Sequence, residues 1–340
     1  MLSSIIPVSH SSKHLKEIVV ILSTTILFSV ISNLYTVQWA SESYYLKQST
    51  TSKEDAVNDI NNNENDRAVG YTHDSESLSS LYTIPYMDSE EEQYHIAKIH
   101  SLSNSTKASR PNKKSVIAMS LYGTDPKYVE GAKENAKLLE TYFPGWTLRV
   151  YVAPSYATET IQELRDLGAE VALPPPFLSN DTYGMFWRFL PADDPDVERF
   201  ISRDSDARLN ARDRFAVQEW IESGKGSHTI RDHPNHYLNM NGGLWGSTHG
   251  VFKNENMLKI IEGFVEDRGC NSKNNWGCDN DFIQKKIWPV IEDDQMGHDS
   301  FFCMRRKNSV GFPTPRSSNN QFIGQTFMAN NAPRAKEMKK

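Results

Sequence analysis

Asp204 and Asp206 stand two residues apart in FISRDSDARLN, directly after an apolar run. If the chain stays extended there, both carboxylates leave one face and Ser205 the other, because side chains alternate along a strand. Two hard oxygen donors on one face suit a divalent cation, Mn2+ or Mg2+, held by one or two carboxylates and bridged to a substrate diphosphate. Such an ion would act as a Lewis acid on a departing diphosphate. The triplet alone also fits ordinary solvated acids, so its surroundings decide. Arg203 and Arg208 flank it as partners for phosphate or carboxylate.

The elements that must position this pair begin at SVIAMSLYG, residues 115 to 123, which reads as a buried strand feeding a loop. Asp125 and Pro126 make an N-cap and first-turn pair for a helix from Lys127 to Thr141, with Val129, Ala132, Ala136 and Leu139 on one face. A second strand spans 147 to 153, and a helix from Thr158 to Leu167 closes at Gly168. A third strand, EVALP, ends at the prolines 174 to 176. This alternation predicts a mostly parallel α/β sheet with right-handed crossovers, whose ligands sit off the carboxyl ends of the strands. MFWRFLP, residues 185 to 191, reads as a short amphipathic helix. Beyond the acidic pair come a helix near Asp213 to Ser223, a strand SHTIRD, the glycine-rich NGGLWGS, a helix near Met257 to Glu266 and another starting at about Asp279.

The whole chain narrows the class. Its 340 residues carry a formal net charge of -6 and no basic block, so no nucleic-acid partner is indicated. Three cysteines match no zinc pattern, and a Cys270 to Cys278 loop fits an oxidising lumen as well as three free thiols fit a core. The uncharged stretch Ile18 to Ala40 follows Lys13 and Lys16 and precedes Glu42, which reads as a signal-anchor of type II topology, with a cleaved signal peptide as its rival. The predicted organisation is therefore a cytoplasmic tail at 1–17, a transmembrane helix at 18–40 and a flexible stem at 41–114. A catalytic domain follows at 115–330 and a tail at 331–340. Asn104 and Asn180 begin glycosylation sequons consistent with a lumenal domain.

The stretch from Ser120 to Gly324 resembles the GT-A glycosyltransferases. SLYG stands as their nucleotide-facing first strand, RDSD as the Asp-X-Asp motif, NGGLWG in place of the acceptor segment and CDNDFI as the later Asp-Gln-Asp motif. SLYG, YFPGW, MFWRFL, SRDSDARLN, RDHPNH and NGGLWG together resemble a group of GT-A-like proteins of algae, microbes and large viruses. The resemblance implies a Rossmann-like GT-A fold and transfer of a sugar from a nucleotide-diphosphate donor to a glycan or glycoprotein hydroxyl. It also implies Mn2+ or Mg2+ as cofactor and a Golgi or endoplasmic reticulum membrane setting.

On that resemblance Ser120 and Tyr122 would contact the nucleotide, and Arg188 the donor phosphate or sugar. Asp204 and Asp206 would hold the ion with His298, which stands where family-8-like members carry a histidine ligand. Asn241, Gly242 and Gly243 would let a sugar approach the backbone, and Trp245 would offer it a ring face. Asp279 and Asp281 would grip the acceptor hydroxyl, act as base or stabilise an oxocarbenium-like donor, although an N-cap role would also suit Asp279. Asn280 stands where relatives carry Gln. His233 and His236, split by Pro234, do not form a helical zinc pair and read as polar support. Two other classes compete: a silent glycan-binding protein of the same fold, and a metal-dependent nucleotide phosphohydrolase.

Overall fold

Strand β1 (Lys114–Leu121) is buried from Val116 onward. Val116 and Ala118 enter one apolar cluster, and Ile117, Met119 and Leu121 enter the other. A strand apolar on both faces needs cover above and below, so it belongs in the middle of a layered sheet. In the computed structural model, which describes residues 89–103, 112–268, 277–317 and 320–334, it lies there. It pairs in parallel with β2 (Thr147–Val152) on one side and β4 (Val197–Arg203) on the other, and β3 (Glu170–Ala172) extends the β2 edge. Past β4, strand β6 (Leu244–Thr248) runs antiparallel to β4 and to β5 (Ser227–Arg231). Strands β7 (Gln295–Asp299) and β8 (Ser309–Val310) complete the order β3-β2-β1-β4-β6-β5-β7-β8. This is the expected mostly parallel α/β sheet flanked by helices.

Local chemistry sets the crossovers. Helix α2 (Pro126–Tyr142) starts where the Asp125 carboxylate accepts the Lys127 amide at 3.1 Å, with proline in the first turn. Helix α3 (Thr158–Asp166) leads to Gly168 at φ +87°. Asn210 caps α5 (Ala211–Ser223) by accepting from the Asp213 amide at 2.9 Å, and Gly224 ends it at φ +69°. Helix α6 (Met257–Arg268) covers the aromatic layer. Then α7 (Cys278–Phe282), a single π turn and α8 (Trp288–Ile291) run on as one irregular rod. Phe186, Phe189, Phe264 and Phe282 interlock beneath them, with Phe189 and Phe282 stacked at 6.0 Å.

Four expectations change. The stem reading gives way over Glu90–Ser103, which forms α1: Ser89 Oγ accepts the Glu92 amide at 3.1 Å, three acids fill the first turn, and Ile99 is fully buried. The MFWRFLP segment is not amphipathic. Its helix α4 (Gly184–Trp187) and the following turn bury every apolar residue, and Arg188 is buried with them. NGGLWGS is only partly a loop, since its second half is β6. His298 belongs to β7, a strand absent from the expected elements. Cys278 is disulfide-bonded and Cys303 is free, while Cys270 lies outside the described residues. The expected span at 18–40 also lies outside them. Among the described residues no helix is long and apolar enough to cross a membrane.

A buried imidazole pair joins β5 to β7. His228 Nε2 and His298 Nδ1 share a hydrogen bond at 2.8 Å, and the His228 ring stacks on Trp220 at 5.4 Å. Burial, then the neighbouring His298, Arg203 and Arg231, holds His228 well below the usual imidazole range. Burial lowers His298 too, against the pull of Glu219. A folded-state value below the unfolded one near 6.5 means the neutral pair stabilises above that pH, and the stability is lost as pH falls through it. The melting temperature is therefore expected to drop as pH goes from 7 to 5, by about 2–4 °C per kcal/mol lost in a domain of this size. In His228→Asn the same titration, followed by circular dichroism, gives a smaller drop.

Candidate active site

β4 ends at Arg203, whose guanidinium is held by Asp213 through bonds of 2.8 and 2.7 Å. Asp204 to Ala207 then form a turn closed by the Ala207 amide donating to the Asp204 carbonyl at 3.1 Å. The expected extended Asp-Ser-Asp is thus replaced by a turn, and alternation does not set the carboxylate directions. Helix α2 sets them. A Cβ on Gly131 would stand 2.0 Å from the Ser205 carbonyl oxygen, so only glycine permits this approach. Buried Asn135 donates to the carbonyls of Ser205 at 3.2 Å and Ala207 at 2.8 Å, and accepts the Leu209 amide at 2.9 Å. Gly131 and Asn135 were missed in the sequence. Their signal was a glycine and an amide on the otherwise apolar face of α2.

Arg188 joins the acids across the cleft. Its Nη1 bonds Asp204 Oδ1, its Nη2 bonds Asp279 Oδ2 at 2.8 Å, and its backbone amide donates to Ser120 Oγ at 3.1 Å. Ser120 therefore positions Arg188 and does not line the cleft. Asp204, Arg188 and Asp279, with Tyr122, Tyr128 and the segment Asn241 to Gly243, line a cleft of about 500 Å³. It lies off the carboxyl ends of β1 and β4, where an open α/β sheet receives ligands. Asp206 faces Lys127, with Nζ to Oδ2 at 3.2 Å.

The glycines serve the acids before they serve any ligand. A Cβ on Gly243 would meet Asp204 Oδ2 at 2.2 Å, and one on Gly242 would meet Asp279 Oδ2 at 2.3 Å. Asn280, in place of the relatives' Gln, accepts the Gly242 amide at 3.1 Å and ties α7 to this segment. Gly277 occupies the cap position of α7, so Asp279 is not its N-cap.

Three further expected site residues, besides Ser120, lie elsewhere. Trp245 is fully buried against Phe189 and Phe200, so it offers no face to a sugar. Asp281 turns outward and pairs with Lys285 at 3.1 Å. His298 is buried on β7 with both ring nitrogens engaged, by His228 and by Glu219 at 3.0 Å, so it has no lone pair free for an ion. The imidazole that does line the cleft is His236, whose Nδ1 is buried without a partner. Burial, then His233, lowers His236 to about 4 against the pull of Asp232 and Asp204, so the ring is neutral at neutral pH.

Charge is concentrated here. Burial, followed by the Asp204 charge, pushes the Asp206 carboxyl up to about 6 even though Lys127 opposes it. Burial raises Asp279 as well, with Arg188 opposing. Burial works against the Arg188 charge, but Asp204, Asp279 and Tyr122 outweigh it and hold the guanidinium protonated. Among the described residues no three His, Cys, Asp or Glu side chains form a metal cluster. The fit of a divalent ion rests instead on the neighbouring Asp204 and Asp206 carboxylates, whose charges Arg188 and Lys127 already oppose, the room that Gly243 leaves for Asp204, and the neutral His236 ring. Magnesium-type ions commonly take one or two carboxylates and complete their shell with phosphate and water. The residues present fit such an ion.

No protein-family profile matches the chain, and no curated protein matches it. Solved structures do. The galactosyltransferase LgtC in complex with donor and acceptor sugar analogs is 12% identical, over 55% of this chain and 73% of its own, with a TM-score of 0.37. Core-mannan synthase A from Aspergillus fumigatus in its Mn/GDP form is 8% identical, over 69% and 86%, with a TM-score of 0.36. Glucosyl-3-phosphoglycerate synthase from Mycobacterium tuberculosis is 11% identical, over 51% and 70%, with a TM-score of 0.33. At these scores the likenesses carry no argument about the site.

Mn2+ titration followed by electron paramagnetic resonance separates the residues by role. Gly243→Ala, which crowds Asp204, and His236→Gln are each expected to weaken binding by about 10-fold or more, the scale on which altered shells change metal affinity. His298→Gln is expected to leave Mn2+ affinity unchanged while lowering the melting temperature. A loss of affinity confined to His298→Gln would return the ligand role to that residue.

Proposed function

We propose that the protein is a metal-dependent glycosyltransferase, moving a sugar from a nucleotide-diphosphate donor to a hydroxyl of a glycan or glycoprotein. The observation that carries this reading is the line Asp204, Arg188, Asp279 within one cleft at the carboxyl ends of β1 and β4. A half-exposed carboxylate suited to an ion, a fixed positive charge and a buried carboxylate follow one another along one wall. Donor diphosphate, transferred sugar and acceptor hydroxyl would need that sequence of groups.

Asp204 and Asp206 would hold Mn2+ or Mg2+, with His236 within reach of the same space. When bound, such an ion supplies Lewis-acid neutralisation of the departing diphosphate. Arg188 cannot swing away, because two carboxylates and the Ser120 hydroxyl fix it, so its charge is preorganised where negative charge develops. Asp279 reaches the cleft beyond Arg188 and would orient the acceptor hydroxyl or stabilise positive charge on the donor sugar. Tyr122 and Tyr128 wall the donor end, and the Asn241 side-chain nitrogen, buried without a partner, is a donor to a sugar hydroxyl. The setting in this reading is the Golgi or endoplasmic reticulum membrane, with residues 18–40 as a type II anchor and the catalytic domain lumenal. Its support is the uncharged stretch and its basic flank in the sequence.

A panel of nucleotide sugars with Mn2+, with and without chelator, tests the proposal by nucleotide release. Release is expected from one donor class only, lost with chelator, and reduced by about 10²–10³ in Asp204→Asn and in Asp279→Asn. Asp279→Asn should retain donor affinity, which calorimetry would read. Equal release from nucleotides lacking a sugar would point to a phosphohydrolase, and binding without release to a lectin.

A further inference from the structure

Lys127 stands in the first turn of α2, where the helix dipole disfavours a cation and only the capping Asp125 offsets it. Its side chain is only 16% exposed, with Nζ 4.6 Å from the Tyr128 ring centroid. A lysine held this way gives up rotamer freedom and hydration. The partner that holds it is Asp206 at 3.2 Å, with the capping Asp125 further off at 4.0 Å. The pairing is set by packing. Gly131 and Asn135, one and two turns along the same helix, lock α2 onto the Asp204 to Ala207 turn.

The two cations that meet the acidic turn differ in freedom. Arg188 is clamped by two carboxylates, whereas Lys127 carries a point charge on a flexible stem and bonds at one end of the acidic turn. If Asp206 holds a divalent ion, as the glycosyltransferase reading on which this inference rests requires, an ammonium at contact distance is repelled. We propose that Lys127 is a diphosphate-binding residue, kept at Asp206 while that carboxylate lacks a divalent ion and turned to the donor phosphates once it has one. Lysine is a frequent phosphate partner, and the positive end of α2 points the same way. Ion and diphosphate then bind with positive coupling, because the ion releases the group that the diphosphate uses.

The full-length chain in detergent tests this with Lys127→Met and Lys127→Arg. Mn2+ affinity is read by paramagnetic resonance without nucleotide, and the affinities of UDP, GDP, CDP and ADP by calorimetry at saturating Mn2+. Lys127→Met is expected to tighten Mn2+ by about 10-fold and to weaken the favoured nucleoside diphosphate by about 10-fold, within the usual range of such coupling. Lys127→Arg stays near the wild type in both. Lys127→Gln repeats the measurement should the Met variant melt early. Unchanged or weaker Mn2+ binding in both uncharged variants, or unchanged diphosphate affinity, overturns the proposal while leaving the glycosyltransferase reading intact. A wild type that takes Mn2+ but none of the four nucleoside diphosphates overturns both.

Discussion

Asp204 and Asp279 line the cleft and Asp206 lies buried beside Asp204, and like charges at short range in a partly dry space repel strongly. Asp204, Asp206 and Asp279 stay together because two basic side chains of the same chain stand among them. Arg188 bridges Asp204 and Asp279, and Lys127 meets Asp206. Burial first, and the Asp204 charge after it, still pushes the Asp206 and Asp279 carboxyls upward against these cations. What remains is a standing demand for positive charge.

The rest of the fold answers where that charge can enter. Two faces of β1 fix the middle of the sheet, and α2 comes close enough to the Asp204 to Ala207 turn to replace its missing strand pairing with the Asn135 amide. Arg188 is carried on a turn wedged between Phe186, Trp187 and Phe189, so its position is set by the aromatic layer and not by solvent-side contacts. Buried polar bonds of this kind are costly to break singly, since each leaves a charge without its partner. Arg188 is therefore held as firmly as the core beneath it.

Much of this was legible in the residues. The apolar run of β1, the cap at Asp125, the glycines at helix ends and the strand before Asp204 each follow from local chemistry, and they place the acidic turn at the carboxyl end of a central strand. The helix at Glu90–Ser103 was hidden because its acids read as a solvated run, although Ser89 and Glu92 have capping-box spacing. β7 was hidden because QMGHD is polar, and its burial depends on partners distant in sequence, above all His228 and Arg231. The partners of His298 were hidden for the same reason. Position along the chain favoured His298, whereas hydrogen bonding across strands decides which histidine still has a free nitrogen. Trp245 followed suit, because a strand residue next to glycines is exposed or buried according to sheet register alone.

β6 runs against its neighbours, so the connection from the end of β5 to the start of β6 both leaves and returns at the cleft edge of the sheet. Residues 232–243 therefore make a loop hinged at one rim, with His236 at its inner side and the exposed Tyr237 at its outer side. Lengthening or shortening such a loop changes no strand pairing and costs little in closure entropy. Only the exposed tip around Tyr237 has room for such change, because Asp232, His233 and Met240 on either side are buried, while the acids the loop overhangs stay anchored.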